Sequence, residues 1–390
     1  MLVAVVGGRL QGVEAAYLAR KAGWNVLIFD KDDYVPAREL GQAFFNLNVT
    51  ACSRIKDYLK EVDLIIPALE NIQALSVLSD ISDSLGIPLA LDPAAYRISS
   101  SKILSNEVFA HLGLPLPRPW PQCGLPVLAK PDGKSGSEGV RMLSSLREVT
   151  SLLEHTPHEE AFLLQEYLPG PSFSLEVMGR PGEYSALQIT DLFMDRGYDC
   201  KRVSAPSELS VEQCVSFKKL GIAIAQEINL RGLMDIEVIL HEGQLKLLEI
   251  DARLPSQTPS AVFWSSGFNM VKAMGDLFLG KWEPVLLPEN PGHAIYEHIK
   301  VTPDTIEVTG EHVMAHAGPL QVVSGFWGAD EALTDYRPNK ASWVATMIHA
   351  GSGRNQVQAR RDRTLLEICR SMKISTVQDE SPNPGLITGD

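Results

Sequence analysis

The sequence lacks any apolar run approaching the roughly 20 residues that a helix needs to cross a bilayer, so no membrane span and no membrane partner are expected. It lacks a basic excess. Its 35 lysines and arginines stand against 48 acids, for a net charge of −13. Nonspecific nucleic-acid binding relies on a basic face, so no nucleic-acid partner is expected. The five cysteines (Cys52, Cys123, Cys200, Cys214, Cys369) are scattered and form no CxxC pair. Neither a disulfide framework nor a zinc site is indicated, and a reduced cytoplasm is the expected setting. A Walker loop, GxxxxGK[ST], is absent. MLVAVVGGRLQG at the amino end has no basic stretch before its apolar residues and reads as a first strand, not a signal peptide. Composition leaves the oligomeric state open.

What is present reads as α/β. The 390 residues allow about two to three domains at roughly 150 residues each. LVAVV (2–6), NVLIFD (25–30), VDLIIPAL (62–69) and IPLAL (87–91) read as buried strands with helical stretches between them. That alternation predicts a parallel, Rossmann-like sheet over residues 1–95. A helix over 101–112 and the proline-rich LPLPRPWPQ (114–122) follow. Strands are expected at 126–131, 139–143, 162–168, 172–179 and 183–190, and a helix at about 210–229. LMDIEVIL (233–240) and QLKLLEIDA (244–252) flank His241-Glu242-Gly243, a tight hairpin turn. Beyond about residue 300 the pattern weakens to small mixed elements.

Gly7-Gly8-Arg9-Leu10-Gln11-Gly12 sits where a dinucleotide fingerprint would, but Arg9 occupies the place of the middle glycine. A side chain there obstructs the close approach of a pyrophosphate. Asp30 would imitate the ribose-binding acid of such a site. A tight turn lining a pocket at the carboxyl ends of the strands is the competing reading.

The second half carries three further features. Lys130-Pro131 ends a strand and leads into Asp132-Gly133-Lys134-Ser135-Gly136-Ser137-Glu138-Gly139. Its small residues, Ser135 and Ser137 among them, let backbone N–H groups wrap phosphates, with Lys130 as a point charge. Glu166-Tyr167-Leu168 ends a second strand and suits an adenosine pocket, backbone reading the base and Glu166 the ribose. On the hairpin, Asp235 and Glu237 share one strand face, as do Glu249, Asp251 and Arg253. Clustered carboxylates repel without a cation, and hard oxygen donors suit Mg2+. Arg253 would stabilise charge developing on a transferred phosphoryl group. Taken singly, these are a turn, an exposed strand end and a solvated acidic face.

Together and in this order they resemble the ATP-grasp superfamily. The resemblance runs through Lys102 (in SSSKILSN), Lys130, the loop 133–139, Glu166-Tyr167-Leu168, Glu237 and Glu249-Ile250-Asp251-Ala252-Arg253. Asp251 stands where that family usually has asparagine, which keeps an oxygen ligand and adds a charge. The resemblance implies an ATP-grasp architecture: a Rossmann-like domain (1–95), a linker helix with a small lid (96–170) and a carboxyl-terminal core with an extension (171–390). It implies ATP bound by Lys102, Lys130, Ser135, Ser137, Glu166, Tyr167 and Leu168, and Mg2+ bound by Glu237, Glu249 and Asp251.

GGRLQGVEAAYLARKAG and LEIDARLPSQTPSAVFWSSG (248–267) look more narrowly like the ligases of pyrrolysine biosynthesis. That likeness implies activation of the 3-methyl-D-ornithine carboxylate as an acyl phosphate and attack by the ε-amine of L-lysine. Both substrates are cationic. Ser174, Glu176 and Asp235 are candidates for the ornithine ammonium groups, Arg253 with Ser256, Gln257 and Thr258 for its carboxylate end, and Gln11 with Glu70 for the acceptor amino acid. No side chain stands out as the base. Another ATP-grasp ligase, a purine-pathway carboxylase, a nicotinamide-dependent oxidoreductase and a non-catalytic nucleotide-binding regulator remain the alternatives.

Overall fold

A computed structural model describes residues 1–52, 54–133, 139–155 and 161–382, and the expectations for Ser135 and Ser137 lie outside the described residues. The chain divides into two units. Residues 1–91, 201–206 and 254–379 form the first; residues 92–200, 207–253 and the segment beginning at Glu380 form the second. Among the described residues no helix is long and apolar enough to cross a membrane.

In the first unit, four parallel strands lie in the order Ala43–Asn46, Asn25–Asp30, Leu2–Val6, Leu64–Pro67. Val3, Ala4 and Val5 are fully buried, as the apolar run requires of a central strand. Gly7 must be glycine: its φ is +113°, and a Cβ there would stand 2.1 Å from the Ala68 carbonyl oxygen. The Asp30 carboxylate accepts the Gly8 N–H at 2.6 Å and the Asp32 N–H at 2.9 Å, so it fastens the glycine loop. Two expectations change. Ile87–Leu91 is not a strand but contributes one bridge, Leu89 to Ile65, because Pro88 has no N–H to donate to a ladder. The fourth strand is instead Ala43–Asn46, a short edge strand with half-buried residues that the apolar pattern does not mark.

The first unit also holds an antiparallel sheet in the order Cys200–Ala205, His293–Val301, Trp343–Gly351, Glu331–Thr334, Gln321–Ser324. The 19-residue helix Arg354–Met372 packs on it, a longer element than the weak pattern after residue 300 predicts. Its Arg361 reaches the fully buried Glu297 at 2.8 Å. Arg202 reaches Glu297 at 3.1 Å, so the charge is doubly compensated. Residues far apart in sequence stitch the unit: Tyr17 donates to Glu331 at 2.7 Å, Lys21 meets Glu331 at 2.6 Å, and Asn269 donates to the Leu18 carbonyl at 2.8 Å.

In the second unit, four antiparallel strands run in the order Gln244–Asp251, Gly232–His241, Ser172–Arg180, Glu183–Met194. Alternation divides their faces. Phe173, Leu175, Val177, Ile236 and Val238 pack against Phe217, Leu220 and Ile224 of helix Val211–Glu227. Gly221 lets that helix come close, since a Cβ would meet Ile236 Cδ1 at 2.8 Å. The other face carries Ser174, Glu176, Asp235 and Glu237. A three-stranded sheet, Arg141–Leu143, Val127–Pro131 and Phe162–Glu166, has its own small core with helix Leu146–His155. The proline-rich segment joins the two: Leu247 N–H donates to the Pro115 carbonyl at 2.9 Å and Glu166 N–H to the Arg118 carbonyl at 2.8 Å.

Candidate functional site

The acidic face is set by one irregularity. Glu242 (φ +49°) and Gly243 (φ +79°) form a two-residue turn that pairs His241 with Gln244 and Val238 with Leu247. Continued unbroken, that register would place Leu248 across from Glu237 and turn Glu249 to the opposite face. A bulge between Glu237 and Val238 takes up Leu248, so Glu237 faces Glu249 and Asp235 faces Asp251. The register of the neighbouring strand adds Ser174 beside Glu237 and Glu176 beside Asp235. The result is two cross-strand rows, Ser174–Glu237–Glu249 and Glu176–Asp235–Asp251.

Charges of both signs meet there. Lys102, at the start of helix Lys102–His111, lies 3.8 Å from Glu249. Lys130 is buried at the end of its strand; burial pushes its ammonium down from the ordinary value, Glu249 and Glu237 opposing the shift and Lys102 adding to it. Arg253 pairs with Asp251 at 2.7 Å. Asp235 is pushed up to about 6 by burial, against the Ser174 hydroxyl, which donates to it, and the Arg253 charge. Glu176 is fully buried in this row.

A cavity of about 680 Å3 opens on the first row. It is lined by Lys102, Lys130, Glu237 and Glu249, and also by Gln165, Glu166, Tyr167, Leu168, Ile239, Leu248 and Tyr198. Seven residues singled out from the sequence thus share one cavity: Lys102, Lys130, Glu166, Tyr167, Leu168, Glu237 and Glu249. Asp251, Arg253, Ser174, Glu176 and Asp235 lie on the same sheet or its continuation, outside that lining. Glu166 is engaged by Arg118, which donates to it from its backbone N–H and its guanidinium; those bonds hold the carboxyl below its ordinary range.

The remaining candidates lie in the first unit. Gln11 donates to Glu70 at 2.9 Å. Ser256 and Gln257 both donate to one oxygen of Glu311, at 2.7 and 2.8 Å. Thr258 is buried at the first position of helix Thr258–Ser266. Sequence reasoning passed over Glu311, Arg118, Tyr198 and Glu14, whose carboxylate accepts the Ser260 N–H at 2.6 Å.

Several groups of known proteins are similar to this chain. An ATP-grasp domain family matches residues 99–257. The 3-methyl-D-ornithine--L-lysine ligase of Methanosarcina mazei is 33% identical over 93% of this chain and 94% of its own length. The chain belongs to this ligase family. Its counterpart in Methanosarcina acetivorans is 35% identical over 80% of this chain and 84% of its own length. Among solved structures, the fold is shared with the Campylobacter jejuni biotin carboxylase solved as a beta-gamma-ATP complex. The TM-score is 0.73 at 15% identity, covering 94% of this chain and 91% of that one. The biotin carboxylase domain of Hydrogenobacter thermophilus 2-oxoglutarate carboxylase, solved with MgADP and bicarbonate, gives 0.72 at 17% identity, covering 94% and 89%. Membership thus extends over both units, while the ATP-grasp match is confined to 99–257.

Proposed function

We propose that this chain is an ATP-dependent, ADP-forming ligase that joins the carboxylate of 3-methyl-D-ornithine to the ε-amine of L-lysine. The observation that carries the reading is the cavity in which Lys102 and Lys130 face the paired carboxylates Glu237 and Glu249, in a chain of this ligase family. Two lysines suit the phosphates of ATP, and Tyr167 and Leu168 supply an apolar end for the base. Glu237 and Glu249 stand directly opposite each other, and Asp251 follows in the next row. That hard-oxygen set fits Mg2+, which when bound would neutralise phosphate charge and orient the terminal phosphoryl group.

The reaction has two steps. The substrate carboxylate attacks the terminal phosphorus of ATP, giving an acyl phosphate and releasing ADP. The deprotonated lysine ε-amine then attacks the acyl carbon, and phosphate leaves as the amide forms. In this reading Lys102 and Lys130 hold phosphate oxygens, and Arg253 steadies charge on the acyl phosphate. Glu176 and Asp235 offer negative charge to the donor's ammonium groups. Ser174 orients Asp235. Ser256, Gln257 and Thr258 hold the donor's carboxylate end, and Gln11 and Glu70 serve the acceptor amino acid. A cytoplasmic setting belongs to the same reading and suits five free cysteines.

The test is ADP release by the full chain with MgATP, 3-methyl-D-ornithine and L-lysine, with the amide product followed by mass spectrometry. ADP and amide are expected in equal amounts. Glu249→Gln is expected to lower kcat by at least about a hundredfold, through several kcal/mol of lost transition-state stabilisation, with an unchanged melting temperature. ADP release with bicarbonate and not with diamino acids would replace this reading with a carboxylase.

A further inference from the structure

We propose that Tyr198 is a binding residue for the base of the nucleotide, held against the apolar end of the cavity by a strained hairpin turn. This rests on the nucleotide reading above and assigns a contact within it. The strand register orders the cavity. Glu237 and Glu249 form one cross-strand row; Ile239, two residues further along the same face, pairs with Ser172, and Ser172 pairs with Leu192 on the next strand. Met194 follows on that strand, and the turn Asp195–Asp199 begins directly after it. The lining therefore passes from the charged row, with Lys102 and Lys130, towards Ile239, Met194 and Tyr198. Phosphates belong at the first end, which leaves the purine at the second.

The turn is built at a cost. Tyr198 has φ +67°, a left-handed conformation that bulky side chains rarely adopt. Strain of this kind persists only where its surroundings impose it. Here the Asp195 carboxylate accepts the N–H groups of Gly197 at 2.7 Å and Asp199 at 3.0 Å. Asp195 N–H donates to the Asp199 carbonyl at 2.8 Å, and Tyr198 N–H to the Asp195 carbonyl at 3.2 Å. The Tyr198 hydroxyl then shares a 2.7 Å hydrogen bond with the hydroxyl of Tyr167. Burial raises the Tyr198 phenol above its ordinary range, so the hydroxyl stays protonated and the bridge is a neutral one. Two tyrosines from separate segments of the cavity lining are thereby tied hydroxyl to hydroxyl, and each brings an aromatic ring to the end left for the base.

The test is calorimetric titration with MgADP of the full-length protein and two variants. Glycine accepts φ +67° without strain, so Tyr198→Gly keeps the turn while removing the ring, and its melting temperature checks the fold. Loss of one aromatic contact with a base is expected to raise the Kd for MgADP about five- to fiftyfold. The KM for ATP should rise with it, while the KM for L-lysine changes less than about twofold. Tyr198→Phe keeps the ring and loses only the bridge, and about a threefold weakening is expected. Equal MgADP affinity in wild type and Tyr198→Gly overturns this assignment and leaves the nucleotide reading standing. No MgADP binding by the wild type overturns both.

Discussion

Glu14 lies on the buried side of helix Leu10–Lys21, and its carboxylate takes the Ser260 N–H at the start of helix Thr258–Ser266. That helix needs the help. Gln257 precedes it at φ +71° and gives no side-chain cap of its own. Burial raises the Glu14 carboxyl from 4.5 to about 7, with Ser260 and Gln257 opposing and Glu311 adding to the rise. A carboxyl with a higher pKa folded than unfolded takes up a proton on folding. Its contribution is fully present below about 4.5 and is lost as pH rises through about 7. Glu14→Gln keeps an oxygen acceptor and cannot ionise. The variant should match the wild type near pH 4.5 and exceed it by about 3 kcal/mol at pH 8, read from urea midpoints across that range. A stability difference that does not change with pH would remove the ionisation from the account. The sequence held a sign of this residue: Glu14 interrupts the apolar stripe of Leu10, Val13, Tyr17 and Leu18. Glu311 had none, since its partners Ser256 and Gln257 are more than fifty residues away.

At the scale of elements, the hairpin Gly232–Asp251 decides where the acids point. The strands and turn are legible from alternation and from the Glu242-Gly243 pair. The expected pairing of Glu237 with Glu249 across matching faces is the one the strands adopt, but the turn does not produce it, because a two-residue turn alone sets the opposite phase. The phase slip is nevertheless written in the second strand. Leu245 and Leu247 keep a two-residue period, and then Ile250 and Ala252 resume it one residue late. Leu248, absorbed in the bulge, lines the cavity together with its neighbour Glu249. The turn itself is not optimised. Glu242 sits at φ +49°, where asparagine is tolerated better than glutamate. Glu242→Asn creates an Asn-Gly turn and should raise stability by about 0.5–1 kcal/mol, seen as a higher melting temperature. kcat should not change, because Glu242 is exposed and outside the cavity lining. A lower melting temperature would show that the glutamate side chain contributes more than its backbone costs.

At the scale of the whole molecule, order along the chain and order in space part company. The first unit joins residues 1–91 to 254–379 through Tyr17, Lys21 and Glu331, pairings that no local pattern encodes. The helix Arg354–Met372 escaped the periodicity for a related reason. Its buried side includes Arg361 and Thr364, which are satisfied by Glu297 and His349 and not by apolar neighbours. Charge, by contrast, is legible at once. The chain carries a net charge of −13, and the described lining of its cavity includes the cations Lys102 and Lys130. Cationic amino acids should be drawn to such a molecule, and salt should screen that attraction over a distance of about 10 Å at 0.1 M. The kcat/KM for L-lysine should therefore fall severalfold as KCl is raised from about 0.05 to about 0.5 M, with MgATP saturating. An L-lysine kcat/KM that is flat in salt would mean that the substrate's ammonium groups are read only by short-range contacts, and would shift the recognition of lysine from the molecule's field to its pocket.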